Sequence, residues 1–283
     1  MKRILLCLDA SLYSTVCIQY AAWIAKHSGA FIQVFHVKET RQYEIPMLAD
    51  LGGSLGAQPY QNMIGQLTRI EEEKARLVHA SVSSVFEEAG LQESYAFESR
   101  SGTLVDSVQE MEDEQVYDMI ILGKRGENAN FAKGHLGSAM ERVIRSTEVP
   151  CFVCNREYRN VKKLLIAYDG SPSSRYALDW LALTEPFRSA GIHLVVVNDE
   201  HHEERCAQHL KTAEQTLRDN RISPTTQMLT GEVEQCLEQY VEQENIDLLI
   251  AGARGHSRLR EFFIGSTTTE LLRRCQIPVL LYR

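Results

Sequence analysis

At 283 residues the chain is long enough for two domains with cores of their own, and 44% hydrophobic against 24% charged residues is the balance of an ordinary soluble globular protein. A formal net charge of −8 argues against a nucleic-acid partner, which calls for a basic face. No apolar run approaches the roughly 18 residues of a membrane span, and seven cysteines without framework spacing suit a reducing cytoplasm.

In chain order, the apolar run 4–8 is cut short by Asp9. It is below the length of a signal-peptide core and predicts a buried first strand. A second strand is expected at 34–37. A stretch with Pro46, Gly52, Gly53, Gly56 and Pro59 then predicts a loop before a helix over 71–89. This stretch reads either as a surface excursion or as a lid or partner-docking arm. A later apolar strand ends in Gly123-Lys124-Arg125-Gly126, followed after ten residues by Gly137-Ser138 and a strand at 151–154. Beyond a polar junction at 155–160, strands are expected at 163–168, 192–197, 225–229, 248–251 and 279–282. Helices are expected from about 173, with Ser171 as cap and Pro172 at the start, and at 203–218, 232–244 and 266–274. Continuous apolar strands between amphipathic helices indicate a parallel sheet covered on both faces.

The two halves repeat one another. Gly102 stands 21 positions before Gly123, and Gly231 stands 21 before Gly252. Asp118 and Asp247 each precede that glycine by five; Pro150 and Pro278 each follow the Gly-Ser glycine by 13. The stretch from Lys2 to Ser11 matches that from Lys162 to Ser171, with the aspartates Asp9 and Asp169 in register. The fold class is therefore α/β: two tandem doubly wound domains, 1–157 and 158–283, each with a five-stranded parallel sheet. The first carries 31 extra residues, all after Val37.

Glycine-rich turns between a strand and a helix let backbone N–H groups converge on an anion at the helix N-terminus. The second half has this in full: Gly252-x2-Gly255-x9-Gly265-Ser266-Thr267. In open α/β sheets ligands sit at the carboxyl ends of strands, where the strand order reverses. With the order 3-2-1-4-5, Asp9 and Gly123 border one crevice and Asp169 and Gly252 another. The glycines would hold phosphates, and each aspartate would accept a hydrogen bond from a ribose hydroxyl or an adenine donor. The competing reading makes the aspartates turn or helix-capping residues. Val37 and Val197, ending the second strands, are either an apolar wall for the base or plain core. Lys124, Arg125, Arg254 and His256 are either phosphate contacts or solvated loop residues. Neither a Walker A loop nor a Rossmann G-x-G-x-x-G is present. Cys151 and Cys154 read as buried strand cysteines, since residues three apart in a strand face opposite ways. The run from His201 to Glu204 reads as a solvated helix start.

An aspartate ending the first strand together with G-x2-G-x9-G-[ST] after the fourth resembles the universal stress protein family, over essentially the whole chain as two copies. The first copy departs from the motif, with one extra residue before Gly137 and Ala10 where glycine is common. The resemblance implies a cytoplasmic protein expressed under stress that holds ATP or a related adenine nucleotide, with or without Mg2+. It implies a first site of Asp9, Val37, Gly123, Gly126, Gly137 and Ser138. The second would comprise Asp169, Val197, Gly252, Gly255, Gly265, Ser266 and Thr267. Because members commonly dimerise through the last strand, it also implies an intramolecular pseudo-dimer, with the strand 151–154 against 279–282; a further homodimer stays open. Three functions remain in play: a nucleotide-binding regulator without catalytic residues, a slow ATPase or adenylyl-transferring enzyme, and a nucleotide-free scaffold recruiting partners.

Overall fold

Strand and helix alternate throughout the computed structural model, which describes residues 1–38, 57–126, 136–198, 202–253 and 265–283. The first half runs β1 (Arg3–Leu8), α1 (Leu12–Ser28), β2 (Phe31–Lys38), α2 (Ala57–Glu88), β3 (Tyr95–Ser101), α3 (Leu104–Glu114), β4 (Met119–Gly123), α4 (Ser138–Ser146) and β5 (Cys151–Cys154). The second runs β6 (Lys163–Ala167), α5 (Pro172–Leu183), a single turn α6 (Glu185–Arg188), β7 (Gly191–Asn198), α7 (Glu203–Asp219), β8 (Thr225–Thr230), α8 (Val233–Glu244), β9 (Leu248–Gly252), α9 (Ser266–Arg274) and β10 (Val279–Tyr282).

All ten strands form one sheet in the order β3-β2-β1-β4-β5-β10-β9-β6-β7-β8. Each half is parallel with the order 3-2-1-4-5, and the halves meet where β10 pairs antiparallel with β5, Leu280 opposite Phe152. Two strand edges that would otherwise template association cover each other. Side chains alternate between the faces. Ile4, Leu6, Phe152, Cys154, Leu164 and Leu280 pack on one side; Leu5, Cys7, Cys151, Val153, Leu165 and Leu281 pack on the other. The two cysteines of the strand thus enter opposite cores, both buried.

The repeated residues do the same work twice, much of it away from the strand ends where a ligand would sit. Asp118 Oδ2 accepts from the backbone N–H groups of Lys2 and Arg3 at 2.5 and 3.0 Å; Asp247 Oδ2 accepts from Lys162 and Lys163, both at 2.9 Å. Each aspartate pins the start of its first strand to the strand beside it. The carbonyls of Pro150 and Pro278 accept from Ile120 and Leu249, setting the entry to the last strands.

Three expectations need correction. The helix after the insertion begins at Ala57 rather than near 71, so Pro59 lies inside it, in the first turn, where a missing N–H leaves no helical bond unmade. This helix has 32 residues against 17 for its counterpart α7, and accounts for about half of the extra length. The insertion residues Pro46, Gly52, Gly53 and Gly56 lie outside the described residues. The turn α6 was not expected; Thr184 and Pro186 break the helix after Leu183. It sets fully buried Phe187 between Trp23, at 5.5 Å in an edge-to-face arrangement, and Trp180 at 5.2 Å, locking α6 against α1 of the other half. Elsewhere several boundaries move by a residue, as at β6, which ends at Ala167.

Candidate functional site

The strand ends expected to border each crevice lie side by side. β1 pairs with β4, Leu6 opposite Ile121, and β6 with β9, Ala167 opposite Ala251. Asp9 and Gly123 therefore end adjacent strands, as do Asp169 and Gly252. The helices α4 and α9 start immediately beyond Gly137 and Gly265, which occupy their N-cap positions. Val37 and Val197 are half-buried, against the same side of the sheet as α3, α4, α8 and α9.

The aspartates are turn residues in part. Asp9 Oδ1 accepts from Ser11 N–H at 3.0 Å and lies 2.9 Å from the Ser14 hydroxyl; Asp169 Oδ1 accepts from Ser171 N–H at 2.9 Å. Ser171 then caps α5 by accepting from Ser174 N–H at 3.3 Å, as its position before Pro172 predicts. Ser11 heads α1 without a side-chain cap. A side-chain oxygen closing its own turn satisfies the aspartate and caps the chain, but it does not use the whole carboxylate.

In the first half the glycine turn approaches the aspartate closely. A methyl group on Gly126 would fall 2.8 Å from Asp9 Oδ2, so the first turn lies directly against the carboxylate. A methyl on Gly123 would meet Tyr13 Cβ at 2.7 Å, and one on Gly137 would meet Arg125 Cα and the Lys124 carbonyl at 3.2 Å. Tyr13 is buried and its hydroxyl accepts from Arg156 Nε at 3.3 Å. In the second half Asp169 is exposed, and Ser173 stands where Tyr13 stands in the first. A methyl on Gly252 would meet Ser173 Cβ at 3.1 Å. At Gly265 the nearest atoms among the described residues would be Thr268 Oγ1 at 3.7 Å and the Ala253 carbonyl at 3.9 Å, both ordinary contacts. Thr268, buried, donates to the Gly252 carbonyl at 3.3 Å and ties the start of α9 to the strand end. Ser266 and Ser138 are exposed, and Thr267 is half-buried. Gly255, Arg254 and His256 lie outside the described residues, as does His201; His202 caps the exposed start of α7.

Lys124 is neither a phosphate contact nor a solvated residue. It is buried at 6% exposure, and its ammonium donates to the carbonyls of Cys275 at 2.9 Å and Arg273 at 3.3 Å, at the end of α9 in the other half. Burial depresses its pKa to about 8, with Arg125 adding to the effect and Cys275 opposing it. Above that value the unfolded chain, whose lysine keeps its ordinary affinity, binds more protons than the folded one. Stability from this group therefore rises with pH from about 8 to 10, where the cost of burying the charge is relieved. Denaturant midpoints at pH 7.5, 8.5 and 9.5 should show wild type gaining on Lys124→Met across that window; parallel profiles would contradict the depressed pKa.

Sequence reasoning missed Tyr13, Thr268 and the role of Lys124. It also missed His209, whose ring lies over Gly170, where a methyl would meet His209 Cε1 at 2.6 Å and φ is +76°. A residue-by-residue comparison of the copies carries part of the signal: Lys124 stands opposite Ala253, and Tyr13 opposite Ser173.

Two doubly wound units joined in one sheet, each with a strand-end aspartate beside a strand-end glycine and a glycine-capped helix start, define a tandem α/β protein of two like halves. The model of the Universal stress protein family matches residues 1–155 and again 160–283, and the chain belongs to that family. It is 38% identical over 290 residues to the universal stress protein Slr1230 of Synechocystis sp., covering all of both chains. Its fold is similar to that of a universal stress protein from Archaeoglobus fulgidus, with a TM-score of 0.74, 21% identity and coverage of 99% of this chain and 98% of that one. A Pseudomonas aeruginosa PAO1 protein shares the fold at a TM-score of 0.63 and 14% identity, over 100% and 92% of the two chains. No helix among the described residues is long and apolar enough to cross a membrane.

Proposed function

We propose that the protein is a stress-response regulator that binds ATP or a related adenine nucleotide, with the second half, 158–283, as the working site and the first, 1–157, as its structural partner. The observation that carries this reading is the second crevice. An exposed carboxylate, Asp169, ends one strand, Gly252 ends the neighbouring one, and none of the described residues crowds Gly265 where α9 begins. Asp169 would take a ribose hydroxyl and Val197 the base. The phosphates would lie at Gly265, Ser266 and Thr267, where unpaired N–H groups and the helix dipole favour negative charge. Gly255 belongs to the same motif. The matching residues Asp9, Val37, Gly123, Gly126, Gly137 and Ser138 form the first crevice, where Gly126 lies against Asp9 and Tyr13 against Gly123, and this crowding favours the second half as the occupied site. The β5–β10 pairing supports reading the chain as a covalent pseudo-dimer.

Native mass spectrometry of the purified chain tests this. One adenine nucleotide per chain is expected, retained or lost on chelating Mg2+ according to whether the metal takes part. No nucleotide, even with ATP added, would overturn the reading in favour of a scaffold. Turnover of labelled ATP well above a buffer control would make the protein an enzyme instead.

A further inference from the structure

Lys124 belongs to two places at once. Its backbone forms the neck of the first glycine turn: its N–H donates to the Cys154 carbonyl at 2.9 Å, and its carbonyl accepts from Gly137 N–H at 3.1 Å. Its side chain crosses into the other half and holds the last carbonyls of α9, 149 and 151 residues further along the chain. Helix-end carbonyls lack intrahelical partners and carry the negative end of the dipole, so a buried ammonium there satisfies both sides. Moving the turn would withdraw that ammonium and strand a buried charge, which is costly. α9, nine residues long, starts at the opposite end with Ser266 and Thr267.

Among the described residues the second glycine turn makes no such connection. Ala253 makes the same backbone bridge, donating to the Tyr282 carbonyl at 2.5 Å and accepting from Gly265 N–H at 3.4 Å, but has only a methyl group to offer. The end of α4 is held instead by Arg283, which donates to the carbonyls of Thr147 at 3.1 Å and Arg145. Arg283 follows β10 and is part of no glycine turn.

We propose that Lys124 couples the two crevices: a change in the first glycine turn is passed through its side chain to α9 and alters how the start of that helix binds phosphate. The inference rests on the nucleotide reading of the second crevice. Lys124 acts as a positioning residue that touches no ligand, and the first half becomes a control element for the second. By linkage, occupancy of the second crevice shifts the first turn by the same coupling free energy.

A double-mutant cycle on the full chain tests it. Gly126→Val crowds the first turn, because its Cβ would lie 2.8 Å from Asp9 Oδ2, so that the carboxylate or the turn must give way. No described atom of Lys124 or α9 lies within 4 Å of that Cβ, and amide exchange at 123–126 reports whether the turn has moved. Gly126→Ala serves should the valine variant not fold. Lys124→Met keeps the side-chain bulk while removing the charge. Two quantities are read: the dissociation constant for ATP at the second crevice, and amide hydrogen exchange along α9 without ligand. With Lys124 present, the Gly126 change should weaken ATP about fivefold or more and speed exchange in α9, within the usual range of coupling between sites. In the Lys124→Met background both effects should shrink below about twofold. Equal effects in the two backgrounds, or none with Lys124 present, would overturn the proposal. If wild type binds no ATP, the nucleotide reading fails on its own, and the exchange measurement still decides whether the link exists.

Discussion

Replacing Gly265 by valine is expected to weaken ATP binding about a hundredfold while leaving the fold intact. The residue caps α9 at φ −58° and ψ 150°, a conformation open to a β-branched residue. Among the described residues a Cβ there meets nothing closer than Thr268 Oγ1 at 3.7 Å, an ordinary contact. The added methyl groups are expected to meet a ligand, in the space where a phosphate would approach the first N–H groups of the helix. Losing that approach should weaken binding on the order of a hundredfold, or about 2.7 kcal/mol. The melting temperature should change by no more than a degree or two. Titration calorimetry with ATP beside a thermal melt checks both halves of the expectation; unchanged affinity would remove Gly265 from the site. The same substitution at Gly137 should behave differently. There the new Cβ meets backbone at 3.2 Å on two sides, so the cost falls on stability, on the order of 1–3 kcal/mol, whether or not a ligand is present.

The second large effect is expected at the seam. Phe152 is fully buried in β5, opposite Leu280 of β10 and 5.1 Å from the Tyr20 ring. Truncation to alanine empties a volume bounded by β-strands on both sides, which cannot collapse inward without bending the sheet. The loss should be about 3–5 kcal/mol, and the melting temperature should fall on the order of 10 °C. Calorimetry should also show whether the two halves still melt together, because weakening the one strand pair that joins the sheets reduces their cooperativity. A drop of less than about 2 °C would mean that contacts such as Phe187 with Trp23 hold the halves together without the strand pair.

Much of the architecture was legible because it is written in short-range pattern. Apolar strands ending in Asp9, Asp169, Gly123 and Gly252 announce themselves by hydrophobicity and by the residue that stops them. The second-half helices were placed within a residue or so, since caps such as Ser171-Pro172 carry local chemistry. Where that chemistry misled, a single proline was the reason. Pro59 reads as a breaker, yet in the first turn of α2 it is harmless, so the helix began 14 residues earlier than expected, at 57 instead of 71.

The candidate site was legible only in outline. Spacing shows that two glycines and an aspartate recur together, and parallel strand order then makes them neighbours; both follow from the order of residues along the chain. Whether Gly126 closes on Asp9, whether Lys124 reaches solvent or a helix end 151 residues away, and which ring covers Gly123 depend on distances between segments remote in sequence. Those distances were settled when ten strands joined into one sheet, because only then did the end of α9 come to lie within reach of the first turn. Local preferences can name the elements and their caps; burial of an individual charge is a property of the packed whole.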